Sequence, residues 1–319
     1  MRISAFSKAV IAPIAIDRTM TVFEWIELAR SLPADGLEMH SGFFWDTSPD
    51  GVDRVGDAVR DAGFEIPILC ASPDFTHPDA DQRAREFDLE VEMIGITARL
   101  GGAGSTCRVL SGQAHPEVSI DQGLMWASDA ISRLIPIARE HNVTLAIQNH
   151  YKASTWKHPD FARRKEVFLR LLDLLPDREY FGVQFDPSNA IFAGEDSAGF
   201  LSLVIDRVVS MRASDRYLAP GAELESLRQA DGTVGHSPLL LHGVIGQGLN
   251  DYDRIFTTLV EAGYDGWISV EDGVNGMDEM RASIDFLLGA RGKYFGGSTA
   301  NRVRGLELVR SAHRASVSD

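Results

Sequence analysis

Two cysteines in 319 residues, Cys70 and Cys107, are too few for a disulfide framework. Both lie in or at the end of apolar, strand-like runs, and Cys107 reads as a small core residue in a reduced, cytoplasmic protein. Basic charge is also scarce. Lys and Arg number 31 against 46 Asp and Glu, a net charge of −15. That excludes a broad electrostatic face for nucleic acid or an anionic membrane. No run approaches the ~20 apolar residues of a membrane span. The opening MRISAFSKAVIAPIAI is broken by Lys8 and lacks the order of a signal peptide. No G-x-G-x-x-G follows the first strand-like run, and Gly246-Gln247-Gly248 comes late and without nucleotide spacing, which argues against a dinucleotide fold. No Gly/Ser/Pro-rich linker divides the chain.

What remains is an alternation. Short β-rich runs are predicted at Arg2–Phe6, Gly36–Met39, Glu65–Cys70, Ser105–Leu110, Thr144–Gln148, Phe181–Phe185, Arg207–Arg212 and Trp267–Glu271. Helical stretches lie between them, near 21–32, 51–63, 80–101, 120–141, 160–175, 197–204, 251–263 and 276–292. Thr21 with Glu24 three residues on is a capping-box signature, and Gly63 and Gly263 fall where helices should end. Eight strand–helix units predict an α/β fold, a (β/α)8 TIM barrel over 1–295, followed by a tail, 296–319, that is helical or disordered. Long loops follow the fifth strand (Tyr151–Asp160) and the seventh (Arg216–Asn250), on the face where barrels carry their sites.

The strand ends carry polar residues in regular order. TLAIQ ends on Gln148, YFGVQFD on Asp186, VVSMR on Arg212 and GWISVE on Glu271; Glu38 and His40 close the second strand. Every second strand residue points inward, so these side chains can meet near the barrel axis. Glu38 alone is as readily a solvent-exposed strand end as a site residue. His150 continues the inward parity of Gln148, and an imidazole suits proton transfer near neutral pH. His115, His158 and His236 sit in polar loops and read as surface residues, and Asp215 reads as a pin for the following loop. Trp156 and Phe75 are candidates to stack on a flat ligand face, or to fill loop cores.

CASPDFTHPD, NHY, QFDPSNA, ASDRYL, LRQADGT, HGVIGQGLNDYD and GWISVEDGVNGMDEMR, spread over nearly the whole chain, resemble the xylose isomerase-like barrels of sugar phosphate isomerases and epimerases. That superfamily also includes metal-dependent apurinic endonucleases. Within it the motifs look most like the α subunits of C-glycoside deglycosidases, which act on 3-keto glycosides with a small β subunit. The resemblance implies a divalent metal, Mn or Mg, held by Glu, Asp, His and Glu at 148, 186, 212 and 271. Here only Asp186 and Glu271 are competent ligands. An amide replaces one anion and a permanent guanidinium replaces the histidine, so no metal is expected at this position and no other cofactor is implied. The charge sum is unchanged. Three carboxylates, a neutral histidine and a dication give −1, as do Gln148, Asp186, Arg212 and Glu271. The guanidinium is therefore expected to take the cation's place, pairing with Asp186 and Glu271 while Gln148 donates its amide.

The catalytic candidates are His150, which matches the family's proton-transfer position, with Arg212, Asp186, Glu271 and Gln148 at the family's ligand positions; the substrate-contact candidates, from their places at strand ends and in the adjoining loops, are Asn149, Arg108, Gln113, Phe75, Trp156 and His242. The leading expectation is a lyase on a 3-keto glycoside: a base removes the proton beside the ketone, Arg212 holds the enolate, and the aglycone leaves. The alternatives are a keto-sugar isomerase or epimerase, and a non-catalytic, metal-lost relative that binds a sugar derivative or a partner subunit. The expected partners are a small-molecule sugar or keto-glycoside, with a small β subunit or a second copy of the chain.

Overall fold

The β-rich runs fold as parallel strands whose side chains alternate between the surrounding helices and the barrel axis. In β1, Arg2–Ser7, Ile3 and Ala5 pack into the main core, and Ser4 and Phe6 alternate with them. A computed structural model of the chain describes residues 1–153, 155–231, 235 and 237–296. Its main sheet runs β2 (Gly36–Leu37), β1, β11 (Trp267–Asp272), β8 (Val208–Ala213), β7 (Phe181–Phe185), β6 (Thr144–Gln148), β5 (Thr106–Val109), β4 (Ile68–Cys70) and β3 (Met39–His40). β2 and β3 are the two halves of one strand interrupted at Glu38. β2 pairs with β1 and β3 with β4, which closes eight strands into a barrel.

Helices α1 (Val22–Ala29), α2 (Pro49–Asp61), α3 (Ala80–Gly101), α4 (Ile120–Glu140), α5 (Lys165–Asp173), α6 (Pro187–Phe192), α7 (Ser197–Val204), α8 (Leu224–Asp231), α9 (Tyr252–Glu261) and α10 (Met277–Ala290) accompany it. Local chemistry fixes their starts. The Thr21 hydroxyl accepts from the Glu24 amide and the Glu24 carboxylate accepts from the Thr21 amide, a reciprocal cap of the kind worth about 1 kcal/mol. Asp79 and Asp186 cap α3 and α6 by accepting from two first-turn amides each. No described helix is long and apolar enough to cross a membrane.

Two expectations need correction. The insertion after the seventh strand is not simply a loop: β9 (Asp215–Leu218) and β10 (Leu240–Gly243) form an antiparallel pair enclosing α8. α5 starts at Lys165 rather than near 160, because Asp160 turns inward and accepts from the Ser111 hydroxyl and the Ala162 amide. His236 and the tail beyond Gly296, with its LELVRSAHR segment, lie outside the described residues.

Candidate active site

The barrel mouth opens into a cavity of about 600 Å3, with Lys8, His40, Arg108, His150, Arg212 and Glu271 among its polar lining. Each comes from the end of a strand or the residues just after it. Parity put Arg108, Arg212 and Glu271 inward, and β1 does the same for Lys8, two residues beyond Phe6.

Arg212 is the centre of the floor. It is 2% exposed, with its guanidinium 4.5 Å from the centre of the Phe6 ring. Its Nη1 donates to Glu271 Oε1 at 3.0 Å, and its Nη2 donates to Glu38 Oε1 and approaches Cys70 Sγ. The expected partnership with Glu271 is present, but the one with Asp186 is not. Asp186 instead accepts from the Ser214 hydroxyl, from the Ser188 and Asn189 amides, and from Gln148 Nε2 at 3.2 Å. The reason is the helix that begins at Pro187: its free N–H groups claim the Asp186 carboxylate before the guanidinium can. Gln148 likewise donates to Asp186, not toward Arg212. Glu38 is fully buried, contrary to the exposed alternative.

Charges are distributed unevenly over this floor. Burial alone would raise Glu271, but Lys8 at 3.6 Å, Arg212 and Arg216 together hold it below the usual carboxylate range. Burial and the nearby Glu271 push Asp186 up to about 7. Burial raises the Cys70 thiol to about 12, so it stays protonated and donates to Glu38. Burial, then Arg108, lowers His40 to about 4. That ring is neutral, and its Nδ1 accepts from the Gly42 amide, which leaves the proton on Nε2. Arg108 differs from Arg212. Its donors go to Ala71 O, the Ser72 hydroxyl and Gln148 Oε1 at 2.8 Å, all neutral acceptors. Its charge is therefore less compensated than that of Arg212, which touches two carboxylates.

His150 stands at the wall with its Nδ1 3.7 Å from Asp160 Oδ2 and Trp156 edge-on to its ring. Burial lowers its pKa and the Asp160 contact opposes that shift. At that distance the carboxylate acts on the ring as a nearby charge, and a neutral imidazole near neutral pH can accept a proton.

The remaining candidates are placed differently. Asn149 clamps Asp186 through both backbone groups, at 2.7 Å each. Gln113 is consumed by Asp74 and by the His158 amide, so it braces a loop. Phe75 is a correction: it is 1% exposed in the core and borders a separate cleft between α3 and α4. His242 lies on β10 opposite Arg216. His115, read as a surface residue, is partnered, its Nε2 2.8 Å from Asp74 Oδ2. Asp215 accepts amides from Gly246, Gly248 and Asn250 and pins that loop. Sequence reading missed Lys8, Cys70 and the buried Glu38–Arg212 pair. Extending the inward parity of β1 past Phe6 would have found Lys8.

The profile of the xylose isomerase-like TIM barrel family matches residues 26–289. The chain belongs to this family. Solved structures with the same fold include a D-tagatose 3-epimerase-like protein (16% identity, 98% of this chain and 99% of that one, TM-score 0.69). A 3-keto-D-glucoside 4-epimerase from E. coli also matches (16% identity, 92% and 99%, TM-score 0.61). So does the IOLI protein with a bound zinc atom (14% identity, 93% and 100%, TM-score 0.70). At these identities the likeness is one of fold. A comparison with curated proteins gave no match.

The residues present do not fit the divalent ion that the resemblance implies. The carbonyl oxygen of Gln148 already accepts from Arg108, and Arg212 fills the space between Glu38 and Glu271. A guanidinium neither deprotonates nor tolerates a dication at ligand distance. Among the described residues no group of three or more His, Cys, Asp or Glu side chains is arranged to hold a metal.

Proposed function

We propose that this protein is an enzyme that removes the proton beside the ketone of a 3-keto sugar without a metal ion, and that it uses this step to expel the aglycone of a glycoside. The observation that carries the reading is a histidine backed by a carboxylate on the same cavity wall as a guanidinium bonded only to neutral acceptors. His150 takes the C2 proton. The electron pair moves onto the C3 oxygen, where Arg108 meets the developing negative charge more effectively than the doubly compensated Arg212. Arg212, with Glu38 and Glu271, serves as the rigid floor that fixes Phe6 and Lys8 under the sugar. His40 Nε2–H and Lys8 are donors for sugar hydroxyls.

The second reading is a keto-sugar isomerase or epimerase. It shares the opening proton abstraction, and the likeness of fold to a D-tagatose 3-epimerase-like protein and a 3-keto-D-glucoside 4-epimerase supports it. Product analysis separates the two. The test is solvent deuterium exchange at C2 of a 3-keto-glucoside, followed by NMR, with and without chelator and with and without a candidate small second subunit. Exchange that survives chelation and falls about 10²–10⁴-fold in His150→Gln supports the proposal. No exchange with any keto-sugar under these conditions leaves the non-catalytic binder.

A further inference from the structure

One arm of the same cavity's lining comes from α3 and from the turn after β1. Nine residues, 71–79, separate β4 from α3, so the 22-residue helix begins above the barrel rim. Glu86, Leu89, Glu90 and Met93 share one face of it, at helical spacing, and form a cavity wall. Ile11, Ala15 and Ile16 also line the cavity, from the short helical turn after β1, which is seated so closely that a Cβ on Gly42 would lie 2.6 Å from the Ala15 methyl. Leu89 and Ile16 are each 53% exposed. Single exposed apolar side chains need no explanation, but two lining one cavity continuous with a polar site form a binding surface.

Glu86, Glu90 and Glu92 are the acidic residues of this arm's lining, and Glu90 is the buried one. It is 1% exposed, and the contact its carboxyl makes is with the Cys107 thiol, 3.4 Å from Oε1. Among the described residues no Lys or Arg forms an ion pair with it. Its burial, opposed by Cys107 and Arg108 and aided by the neighbouring Glu86, raises it to about 8, which keeps it protonated at neutral pH.

We infer that the arm under α3 is a subsite for an apolar aglycone and that Glu90 donates the proton to the departing oxygen of a 3-keto O-glycoside. The inference rests on the proton abstraction proposed above. After His150 has taken the C2 proton, the C3 carbonyl re-forms from the enolate. The C1–C2 double bond then forms as the C1–O bond breaks, and the departing oxygen takes the Glu90 proton. The products are an enone and an alcohol or phenol. The imidazolium and the Glu90 carboxylate then exchange one proton through water, which restores both.

The experiment compares wild type with Glu90→Gln on 3-keto-glucosides whose leaving groups range from 4-nitrophenol to methanol, following C2 deuterium exchange and aglycone release separately. The expected result is retained exchange, with release of the poorly acidic alcohols falling about 10²–10⁴-fold and that of 4-nitrophenol nearly unchanged. Wild-type release of the poor leaving groups should also decline as pH rises through about 8. Leu89→Asp, at an exposed position that does not endanger folding, should raise KM for aryl glucosides and leave KM for the methyl glucoside unaltered. Equal loss across all leaving groups, or undiminished release of methanol, overturns the role of Glu90. Equal KM values in Leu89→Asp overturn the subsite. Absence of C2 exchange in the wild type removes the parent proposal, and this inference with it.

Discussion

Replacing Arg212 with methionine keeps most of the buried stem and deletes the charge. Glu38 is then left with only the Cys70 thiol, and Glu271 keeps Lys8 at 3.6 Å. Breaking one side of a buried ion pair costs about 3–5 kcal/mol, because the surviving charge stays buried without its partner. In a domain of this size each kcal/mol moves the melting temperature roughly 2–4 °C, so a fall of roughly 6–20 °C is expected at neutral pH. The sign of its pH dependence follows from the shifts. In the wild type Glu271 is held below its ordinary value, so its stabilisation is present above the unfolded carboxylate pKa and is lost only as pH falls through the folded value. Without Arg212, Glu38 has no cation left and its burial disfavours the charged form, whereas Glu271 still has Lys8 and Arg216 beside it. A raised acid contributes stability below its unfolded pKa and loses it as pH rises through the folded one. The deficit of Arg212→Met should therefore be large near pH 7.5 and shrink toward pH 5. Circular dichroism melts of wild type, Arg212→Met and Arg212→Lys at both pH values make the test, with the lysine variant falling between. A methionine variant as stable as wild type at neutral pH, or one whose deficit grows on acidification, refutes the buried charge cluster.

Two further outcomes follow from local structure. Thr21→Ala removes the reciprocal cap of α1 and should cost about 1 kcal/mol in a urea melt, with no change in activity. Gly112 holds φ +117°, and a Cβ there would lie 2.6 Å from the Thr76 backbone nitrogen, so Gly112→Ala should destabilise by about 1–3 kcal/mol. An alanine variant that melts with wild type would show that this turn can relax.

The barrel was legible because its signals are local. Alternating residues, Thr21, Gly63 and the apolar runs mark each element from within, and strand parity alone sends Gln148, Arg212 and Glu271 inward. Partner choice was not legible. Parity says which side chains enter the barrel but not how far each reaches around it, so the guanidinium was assigned to Asp186 rather than to Glu38 across the axis. The claim of the α6 amides on Asp186 depends on a helix too short, at six residues, to show in the pattern. Phe75 and Gln113 sit in two loops, after β4 and after β5, which are tied together at Asp74 and Thr76 by contacts far apart in sequence. The wall contributed by α3 depends on how high that helix starts above the rim, which no periodicity encodes.

The most direct measurement is metal content by mass spectrometry on the purified wild type and on the double variant Gln148→Glu, Arg212→His, each after manganese loading and desalting. With an organic cation occupying the floor, the wild type should retain far less than one ion per chain, and the double variant, with Asp186 and Glu271 joined by two restored ligands, close to one. One tightly held ion per chain in the wild type, or none in a folded double variant, contradicts the assignment of Arg212 to that place.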